Sequence, residues 1–233
     1  MTRSLPDAST AARLHAAEAW VFDLDNTLYP ASSRLFDQID RRMTSFVADF
    51  LDLDPVAARK VQKTYFREHG TTMRGLMDRH GLDPAVFLDF VHDIDLSPIA
   101  PCAILAAALD RLPGRKIIFT NGTVGHADHI TRHLGIDAHF EGVFDIVSSD
   151  YVPKPNPQVY DRLVADFGID PERTVMVEDM AKNLAPAAAL GMTTVWVRTD
   201  SDWGVEGADG GHVDHVVDDL SAWLDAVVSA PNC

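Results

Sequence analysis

Short apolar runs recur along the chain, and a polar residue ends or follows each of them. The first run covers residues 19–23 and ends in Asp23. Runs of this length are typical of strands that are buried on both faces of a parallel sheet. Helix-like or loop stretches separate the runs, so the pattern predicts βαβ units and an α/β fold. The later runs lie at residues 116–119, 142–147, 174–177 and 193–197, with an edge strand predicted at 212–217 and a tail helix near 218–229.

A different pattern fills the interval between the first two runs. Apolar residues such as Phe36, Ile39 and Met43 recur there at three- and four-residue spacing, which indicates amphipathic helices. Asp83 followed by Pro84 is typical of a helix N-cap and a first-turn proline. The predicted helices cover residues 33–53, 55–68, 71–80 and 84–94.

The length and composition of the chain leave room for more than one hydrophobic core. It has 233 residues, of which 46% are hydrophobic and 24% are charged, as in soluble globular proteins. We therefore predict an α/β core made of residues 1–30 and 101–233. Residues 31–100 are predicted to form a small helical domain that is inserted into this core.

The net charge of the chain argues against some classes of binding partner. Lys and Arg number 20 against 35 Asp and Glu, which gives a net charge of −15. Such a protein repels polyanions at long range, so we expect no binding to nucleic-acid polymers or to anionic membranes. The longest stretch without a charged residue, 183–197, is shorter than a membrane-spanning helix and contains Pro186.

The expected compartment follows from the first residues and from the cysteines. Residues 1–18 lack the apolar segment of a secretory signal, so we expect a cytoplasmic protein. Cys102 and Cys233 are too few for a disulfide framework, and both are predicted to be free thiols.

Polar residues with useful chemistry follow four of the predicted strands. Ligands of open parallel sheets bind at the carboxyl ends of the strands, so residues at these positions are expected to converge on one site. The set combines carboxylates, hydroxyls and a lysine whose backbone two prolines restrain. In chain order the residues are Asp23, Asp25 and Thr27, then Thr120, Asn121 and Gly122, then Lys154, and finally Glu178 and Asp179.

Carboxylates gathered at one edge of a sheet repel one another unless a cation neutralises them. Ligands made only of oxygen indicate a hard ion, and Mg²⁺ fits because it usually shares its ligand shell with a substrate phosphate. Asp23 and Asp25 stand two residues apart in an extended segment, so their side chains share one face. A turn or a calcium loop also contains Asp-x-Asp, but Thr27 and Leu28 stand where a calcium loop needs a further ligand and a glycine.

These residues resemble the four motifs of the haloacid dehalogenase superfamily, in the same order along the chain. The resemblance spans about residues 19–200 and implies a Rossmann-like doubly wound parallel sheet, with the helical block as a small cap domain. Closure of such a cap would exclude water and select the substrate. The matching segments are Asp23-Leu-Asp25-Asn-Thr27, Thr120-Asn-Gly122, Lys154-Pro155, and Glu178-Asp179 with Asn183.

The resemblance also implies a role for each motif residue. Asp23 would be the nucleophile that forms an aspartyl-phosphate, and Asp25 would be the general acid and base. The Asp23 carboxylate, the Asp25 backbone carbonyl and Asp179 would hold Mg²⁺, with Glu178 and Asn183 behind them. The residues that would bind the phosphoryl group and the substrate near it are Thr120, Asn121, Gly122 and Lys154.

Two longer segments are similar to the pyrimidine 5′-nucleotidase branch of the superfamily, which implies hydrolysis of UMP or CMP. They cover residues 22–30 and 64–76. Arg74 matches the branch motif and would contact the substrate, Tyr65 would stack on a base, and Tyr29 would line the mouth of the site. Core packing is the alternative for both tyrosines.

Other functions remain open at this point. A phosphoglycolate or sugar-phosphate phosphatase is the main alternative. A haloacid dehalogenase would need neither Asp25 nor a metal cluster, and a non-catalytic binding protein commonly lacks one of the motifs.

Three basic residues, Arg59, Lys63 and Arg67, have the spacing of a solvated helix face. His126, His129 and His133 also share a helix face, and without a Cys or acidic partner they are interpreted as surface histidines.

Overall fold

Six parallel strands form one sheet in residues 13–230, the part of the chain that the computed structural model describes. They are β1 (Ala19–Phe22), β2 (Arg115–Phe119), β3 (Gly142–Phe144), β4 (Thr174–Glu178), β5 (Thr193–Val197) and β6 (His215–Val217). Their order across the sheet is β3-β2-β1-β4-β5-β6. Each neighbouring pair is parallel, which confirms the predicted sheet. The prediction of a free thiol at Cys233 falls outside the described residues, whereas Cys102 is free.

Helices cover both faces of the sheet. They are α1 (Phe36–Leu51), α2 (Pro55–His69), α3 (Thr72–His80), α4 (Pro84–Val91), α5 (Ala103–Arg111), α6 (Val124–Leu134), α7 (Pro157–Phe167), α8 (Ala181–Ala189) and α9 (Leu220–Ser229). Helices α5, α6 and α9 pack against one face in a cluster that contains Trp20 and Phe22. Helices α7 and α8 pack against the other face, in a cluster that contains Val21. Alternate residues of β1 thus serve two cores, and the doubly wound α/β fold is confirmed.

Helices α1 to α4 share a third hydrophobic cluster. The rings of Phe46 in α1 and Phe87 in α4 meet edge to face, with centroids 5.0 Å apart. Asp83 caps α4 as expected, because its carboxylate accepts a hydrogen bond from the Ala85 amide at 3.0 Å. We refer to residues 36–92, from the start of α1 to the residue that caps the end of α4, as the helical insertion; the division of the chain into an inserted domain and a core stays a prediction.

Strand β1 lies at the centre of the sheet, where the strand order reverses. Phe22 pairs with Ile118 of β2 on one side and with Val177 of β4 on the other. The Asp23 amide donates to the Val177 carbonyl at 2.9 Å, so Asp23 lies between the carboxyl ends of β2 and β4. Open α/β sheets bind ligands in the crevice at such a position.

Strand β3 ends at Phe144, three residues before the predicted end. Asp145 leaves the strand because its carboxylate accepts hydrogen bonds from the amides of Val124 at 3.0 Å and Ser148 at 2.8 Å. Strand β6 begins at His215 rather than at residue 212, after Asp214 has accepted a hydrogen bond from the Thr194 amide.

Across residues 13–230, no helix is both long enough and apolar enough to cross a membrane.

Candidate active site

Lys154 joins the ends of three strands at the carboxyl edge of the sheet. Its Nζ donates to Asp23 Oδ1 at 2.7 Å, to Glu178 Oε2 at 2.7 Å and to the Phe119 carbonyl at 2.8 Å. The side chain is buried, so these contacts replace water around the ammonium group. Burial alone would lower the pKa of Lys154, but Asp23 and Glu178 raise it, and the lysine is held in its charged form.

Three buried carboxylates surround this lysine. One oxygen from each of Asp23, Glu178 and Asp179 lies within 4.8 Å of the others. Burial, reinforced by the charge of Glu178, raises the pKa of Asp23 to about 7, although Lys154 acts in the opposite direction. Burial and Glu178 also raise the pKa of Asp179. The single ammonium group of Lys154 therefore provides less positive charge than three ionised carboxyl groups need.

The cluster suits a bound cation. Asn183, which the sequence places behind the metal, donates through Nδ2 to Glu178 Oε1 at 3.1 Å. Its Oδ1 is buried and has no hydrogen-bond partner among the described residues, so it offers an acceptor for a metal-bound water. Together with the excess of carboxylates, this orphaned oxygen fits a hydrated hard cation such as Mg²⁺.

The other contacts of the cluster hold individual oxygens in place. Thr27 Oγ1 donates to Asp23 Oδ2 at 2.9 Å, so both oxygens of Asp23 accept a hydrogen bond. Glu178 Oε1 also accepts from the Met180 amide at 3.3 Å. Since its Oε2 already accepts from Lys154, both oxygens of Glu178 are held by hydrogen bonds, and Glu178 orients its neighbours.

Asp25 stands apart from this cluster, beside α6. Its Oδ1 accepts hydrogen bonds from the Tyr29 hydroxyl at 2.6 Å and from His126 Nε2 at 2.9 Å. His126 Nε2 lies 3.2 Å from Oδ2. Burial raises the pKa of Asp25, but His126 and Tyr29 lower it, and the net effect is a pKa below the ordinary value of an aspartate. Asp25 is therefore held as a carboxylate.

The loop after β2 is tied to the Lys154 loop. Asn121 Oδ1 accepts a hydrogen bond from the Lys154 amide at 2.9 Å, and Thr120 Oγ1 accepts from the Gly122 amide at 2.9 Å. A side chain at position 122 would be crowded, because a Cβ there would lie 3.1 Å from His126 Cδ2 and 3.3 Å from Thr120 Oγ1. The structure thus brings these motif residues together, and their binding of a phosphoryl group stays a prediction.

Comparison with known proteins assigns the chain to a family. The haloacid dehalogenase-like hydrolase family matches residues 17–191, which include all the strand-end residues described above. The chain belongs to this family. The resemblance read from the four motifs is therefore confirmed at the level of the family.

Two relatives and one solved structure resemble the chain at low sequence identity. The chain is 24% identical over 241 residues to "Phosphate metabolism protein 8" of Saccharomyces cerevisiae, covering 97% of this chain and 68% of that protein. It is 28% identical over 200 residues to "Glyceraldehyde 3-phosphate phosphatase" of Methanopyrus kandleri, covering 78% of this chain and 84% of that protein. A variant of CbbY from Rhodobacter sphaeroides, crystallised with xylulose-1,5-bisphosphate, superposes with a TM-score of 0.60 at 18% identity, covering 90% and 99% of the two chains. That likeness shows the fold.

The residues predicted to contact substrate outside the motifs have other partners in the structure. Arg74 pairs with Asp78 one turn along α3 at 3.0 Å. The Tyr65 hydroxyl hydrogen-bonds with His80 Nε2 at 2.8 Å. Tyr29 is buried, and its hydroxyl donates to Asp25, so it lies under the proposed acid rather than at an open mouth. Substrate contact by these three residues stays a prediction.

The basic face of α2 has internal partners rather than solvent alone. Arg59 and Lys63 pair with Asp40 at 2.9 and 2.6 Å. Lys63 and Arg67 lie over the ring of Trp203, 5.3 and 5.2 Å from its centroid. All three line a groove of about 680 Å³ between α1 and α2, whose lining contains none of the strand-end residues.

Two contacts bring the helical insertion against the site. Gly70, between α2 and α3, has a φ of +85°, and a Cβ there would lie 3.0 Å from Pro153, next to Lys154. His92, just after α4, stacks on His126 with ring centroids 4.2 Å apart and planes 8° apart. The insertion therefore reaches both the Lys154 loop and the neighbour of Asp25.

The interpretation of His126 as a surface histidine is wrong. The residue is 3% exposed and bonded to Asp25, whereas His129 and His133 are exposed as expected. One signal could have found it: Thr123 caps a helix that begins at the carboxyl edge of the sheet, and residues in the first turn of such a helix face the crevice. The spacing of the three histidines along the helix gave no indication that His126 is buried.

Proposed function

We propose that this family member is a Mg²⁺-dependent phosphomonoesterase that works through an aspartyl-phosphate on Asp23. The observation that carries the proposal is the bridge from Lys154 Nζ to both Asp23 and Glu178, in a cluster of buried carboxylates at the switch point of the sheet. A nucleophile, a fixed cation and a cation-binding cluster in one crevice suit attack on a phosphate that carries negative charge.

Asp23, Asp179 and the Asp25 backbone carbonyl would hold the metal, with Glu178 and Asn183 behind them. When bound, Mg²⁺ would offset the charges of the carboxylates and of the phosphate, as divalent cations do in phosphoryl transfer. Lys154 keeps Asp23 oriented, and the backbone amide of Asn121 and the hydroxyl of Thr120 would bind the phosphoryl oxygens beside it.

The first half of the reaction transfers the phosphoryl group to the protein. A carboxylate oxygen of Asp23 forms a bond to phosphorus while the bond from phosphorus to the ester oxygen breaks. Asp25 gives a proton to that oxygen, which leaves as an alcohol. The negative charge of the nearby phosphate raises the pKa of Asp25 and so favours proton uptake before the transfer.

The second half restores the protein. Asp25, now a carboxylate, takes a proton from a water molecule whose oxygen forms a bond to phosphorus. The bond from phosphorus to Asp23 breaks, and inorganic phosphate and the original carboxylate of Asp23 result. The same residue serves as acid and then as base because the two steps run in opposite directions for the proton.

The first candidate substrates are pyrimidine nucleoside monophosphates. The similarity of residues 22–30 and 64–76 to the pyrimidine 5′-nucleotidase branch supports them. The close approach of Gly70 to Pro153 supports a role for the insertion in substrate selection, because it brings the start of α3 to the Lys154 loop. A sugar-phosphate substrate is the second candidate, and the name of the Methanopyrus kandleri relative favours it.

Phosphate release from a panel of monophosphates tests the proposal. The panel contains UMP, CMP, AMP, GMP, phosphoglycolate, glyceraldehyde 3-phosphate and several sugar phosphates, each with Mg²⁺ and with EDTA. We expect release that EDTA and Asp23→Asn both abolish. Asp161→Asn, which changes an exposed carboxylate on α7, is the matched control and should leave the rate unchanged.

The pattern across the panel separates the candidates. Preference for UMP and CMP supports the nucleotidase, and preference for a sugar phosphate supports the second candidate. Halide release from 2-chloropropionate without Mg²⁺ would instead indicate a dehalogenase. Tight nucleotide binding without phosphate release from any compound would contradict an enzymatic function.

A further inference from the structure

The two oxygens of Asp25 have different surroundings. Oδ1 accepts two short hydrogen bonds, from the Tyr29 hydroxyl at 2.6 Å and from His126 Nε2 at 2.9 Å. Oδ2 has one longer contact, 3.2 Å from the same nitrogen. The carboxylate is therefore anchored through Oδ1, and Oδ2 is the oxygen that is freer to exchange a proton.

His126 is held rigidly enough to act as an anchor. Its backbone amide donates to the Thr123 Oγ1 that caps α6, at 3.2 Å, which places it in the first turn of that helix. Its ring stacks on His92, Gly122 lies close to its Cδ2, and the residue is 3% exposed. His92 is itself in contact with Thr123, with His92 Nδ1 3.3 Å from the Thr123 hydroxyl.

We propose that His126 is a positioning residue for the acid and base of the reaction, and that with Tyr29 it directs proton transfer to Asp25 Oδ2. The inference rests on the proposed function, since it assigns the orientation of Asp25 within that reaction. In the first half, the proton leaves Oδ2 for the ester oxygen as the bond from phosphorus to that oxygen breaks. In the second half, Oδ2 receives the proton of the attacking water.

The nature of the leaving group makes this role measurable. A nucleoside or another primary alcohol is a poor leaving group as an alkoxide, so its departure depends on a correctly placed proton. The p-nitrophenolate ion leaves readily without one. Loss of the His126 anchor should therefore slow attack on UMP much more than attack on p-nitrophenyl phosphate, while a general loss of structure would slow both alike.

The experiment measures formation of the aspartyl-phosphate in single turnovers with Mg²⁺, using UMP and p-nitrophenyl phosphate as the two probes. His126→Leu removes the hydrogen bond, and His126→Gln retains a donor near the position of Nε2. We expect His126→Leu to slow formation from UMP by about a hundredfold and from p-nitrophenyl phosphate by less than about threefold, by analogy with the loss of a positioned general acid. His126→Gln should recover at least about tenfold of the loss with UMP.

Two further variants complete the test. Tyr29→Phe removes the other hydrogen bond to Oδ1 and should give the same preference for the better leaving group, which covers the case in which His126→Leu does not fold. His129→Gln changes an exposed histidine on the same helix and should leave both rates as in the unmodified protein. In every variant that shows the effect, breakdown of the aspartyl-phosphate should also be slower with both probes.

The outcomes separate this inference from the proposed function. Equal losses with UMP and p-nitrophenyl phosphate, or failure of His126→Gln to recover activity on UMP, would overturn the positioning role and leave the phosphatase standing. Absence of an aspartyl-phosphate in the unmodified protein with both probes and with every other monophosphate of the panel would overturn the proposed function, and the inference with it.

Discussion

Without a divalent cation, Asp23→Asn is expected to stabilise the protein. Asp23 is 6% exposed, and burial together with the charge of Glu178 raises the pKa of its carboxyl group to about 7. The folded state therefore favours the neutral form of this side chain. Asparagine is neutral and nearly isosteric, and it keeps an oxygen that can accept from Lys154 or from Thr27.

The size of the effect depends on pH. Between 3.8 and about 7 the folded protein retains a proton on Asp23 that the unfolded chain has released, so the stability that Asp23 contributes falls as the pH rises. The resulting penalty is about 2 kcal/mol near pH 5 and about 4 kcal/mol near pH 8, from about 1.4 kcal/mol for each tenfold change in proton affinity. The advantage of the variant should grow by about 2 kcal/mol across this interval.

Urea unfolding of both proteins in EDTA, near pH 5 and near pH 8, measures this difference. Excess Mg²⁺ should restore most of the missing stability of the unmodified protein at the higher pH, because the cation offsets the charge of the cluster. An advantage that is the same at both pH values, or a variant less stable than the unmodified protein near pH 8, would show that burial does not hold a proton on Asp23 in the folded protein.

Three other substitutions have defined outcomes. Lys154→Met should abolish measurable phosphate release and cost about 3–5 kcal/mol in urea unfolding with EDTA, because it leaves buried carboxylates without their partner. Asp25→Asn should slow at least one half of the reaction by about a hundredfold or more in rapid-quench kinetics. Gly75→Ala should lower the stability by about 1–3 kcal/mol, because its Cβ would overlap the Cβ of Tyr65 and lie 2.5 Å from its Cγ and 2.8 Å from its Cδ2. Tyr65→Ala in the same chain removes Cγ and the ring but keeps Cβ, so it should relieve part of that cost.

Each of these has a result that contradicts it. Wild-type turnover in the Lys154 variant would show that the contacts of Lys154 with Asp23 and Glu178 are not needed for the reaction. An unchanged single-turnover profile for Asp25→Asn would show that Asp25 does not transfer the proton. For Gly75 and Tyr65, additive losses in the double variant, measured by thermal unfolding, would show that the two sites are not in contact.

Much of the fold follows from local patterns in the sequence. The apolar runs predicted β1 to β5, because strands at the centre of a parallel sheet are buried on both faces and are therefore rich in apolar residues. The edge strand β6 was predicted separately, at residues 212–217. The helices of the insertion were predicted for a similar reason, since Asp83, Pro84 and the glycines mark their ends. The end of β3 and the start of β6 were not predicted correctly, because Asp145 and Asp214 accept hydrogen bonds from amides that lie about 20 residues away in the chain.

The site was predictable where chain topology alone brings residues together. Lys154, Asp23 and Glu178 meet because parallel strands end at one edge, a rule that needs no knowledge of side-chain packing. The surroundings of Asp25 required more. His92 and His126 stack because the insertion folds back onto α6, and Tyr29 is buried in the cluster that α5, α6 and α9 form against the sheet. Periodicity along one chain carries no information about such contacts.

Trapping the aspartyl-phosphate is the most direct way to learn whether Asp23 carries the phosphoryl group during the reaction. The protein is mixed with Mg²⁺ and the best monophosphate of the panel, quenched within the first turnover and treated with borohydride, which reduces an aspartyl-phosphate to homoserine. Mass spectrometry of the peptide that contains residues 19–30 then locates the change. We expect homoserine at position 23 in the unmodified protein and none in Asp23→Asn. Substrate turnover without homoserine at position 23, or with the change at another carboxylate, would contradict it.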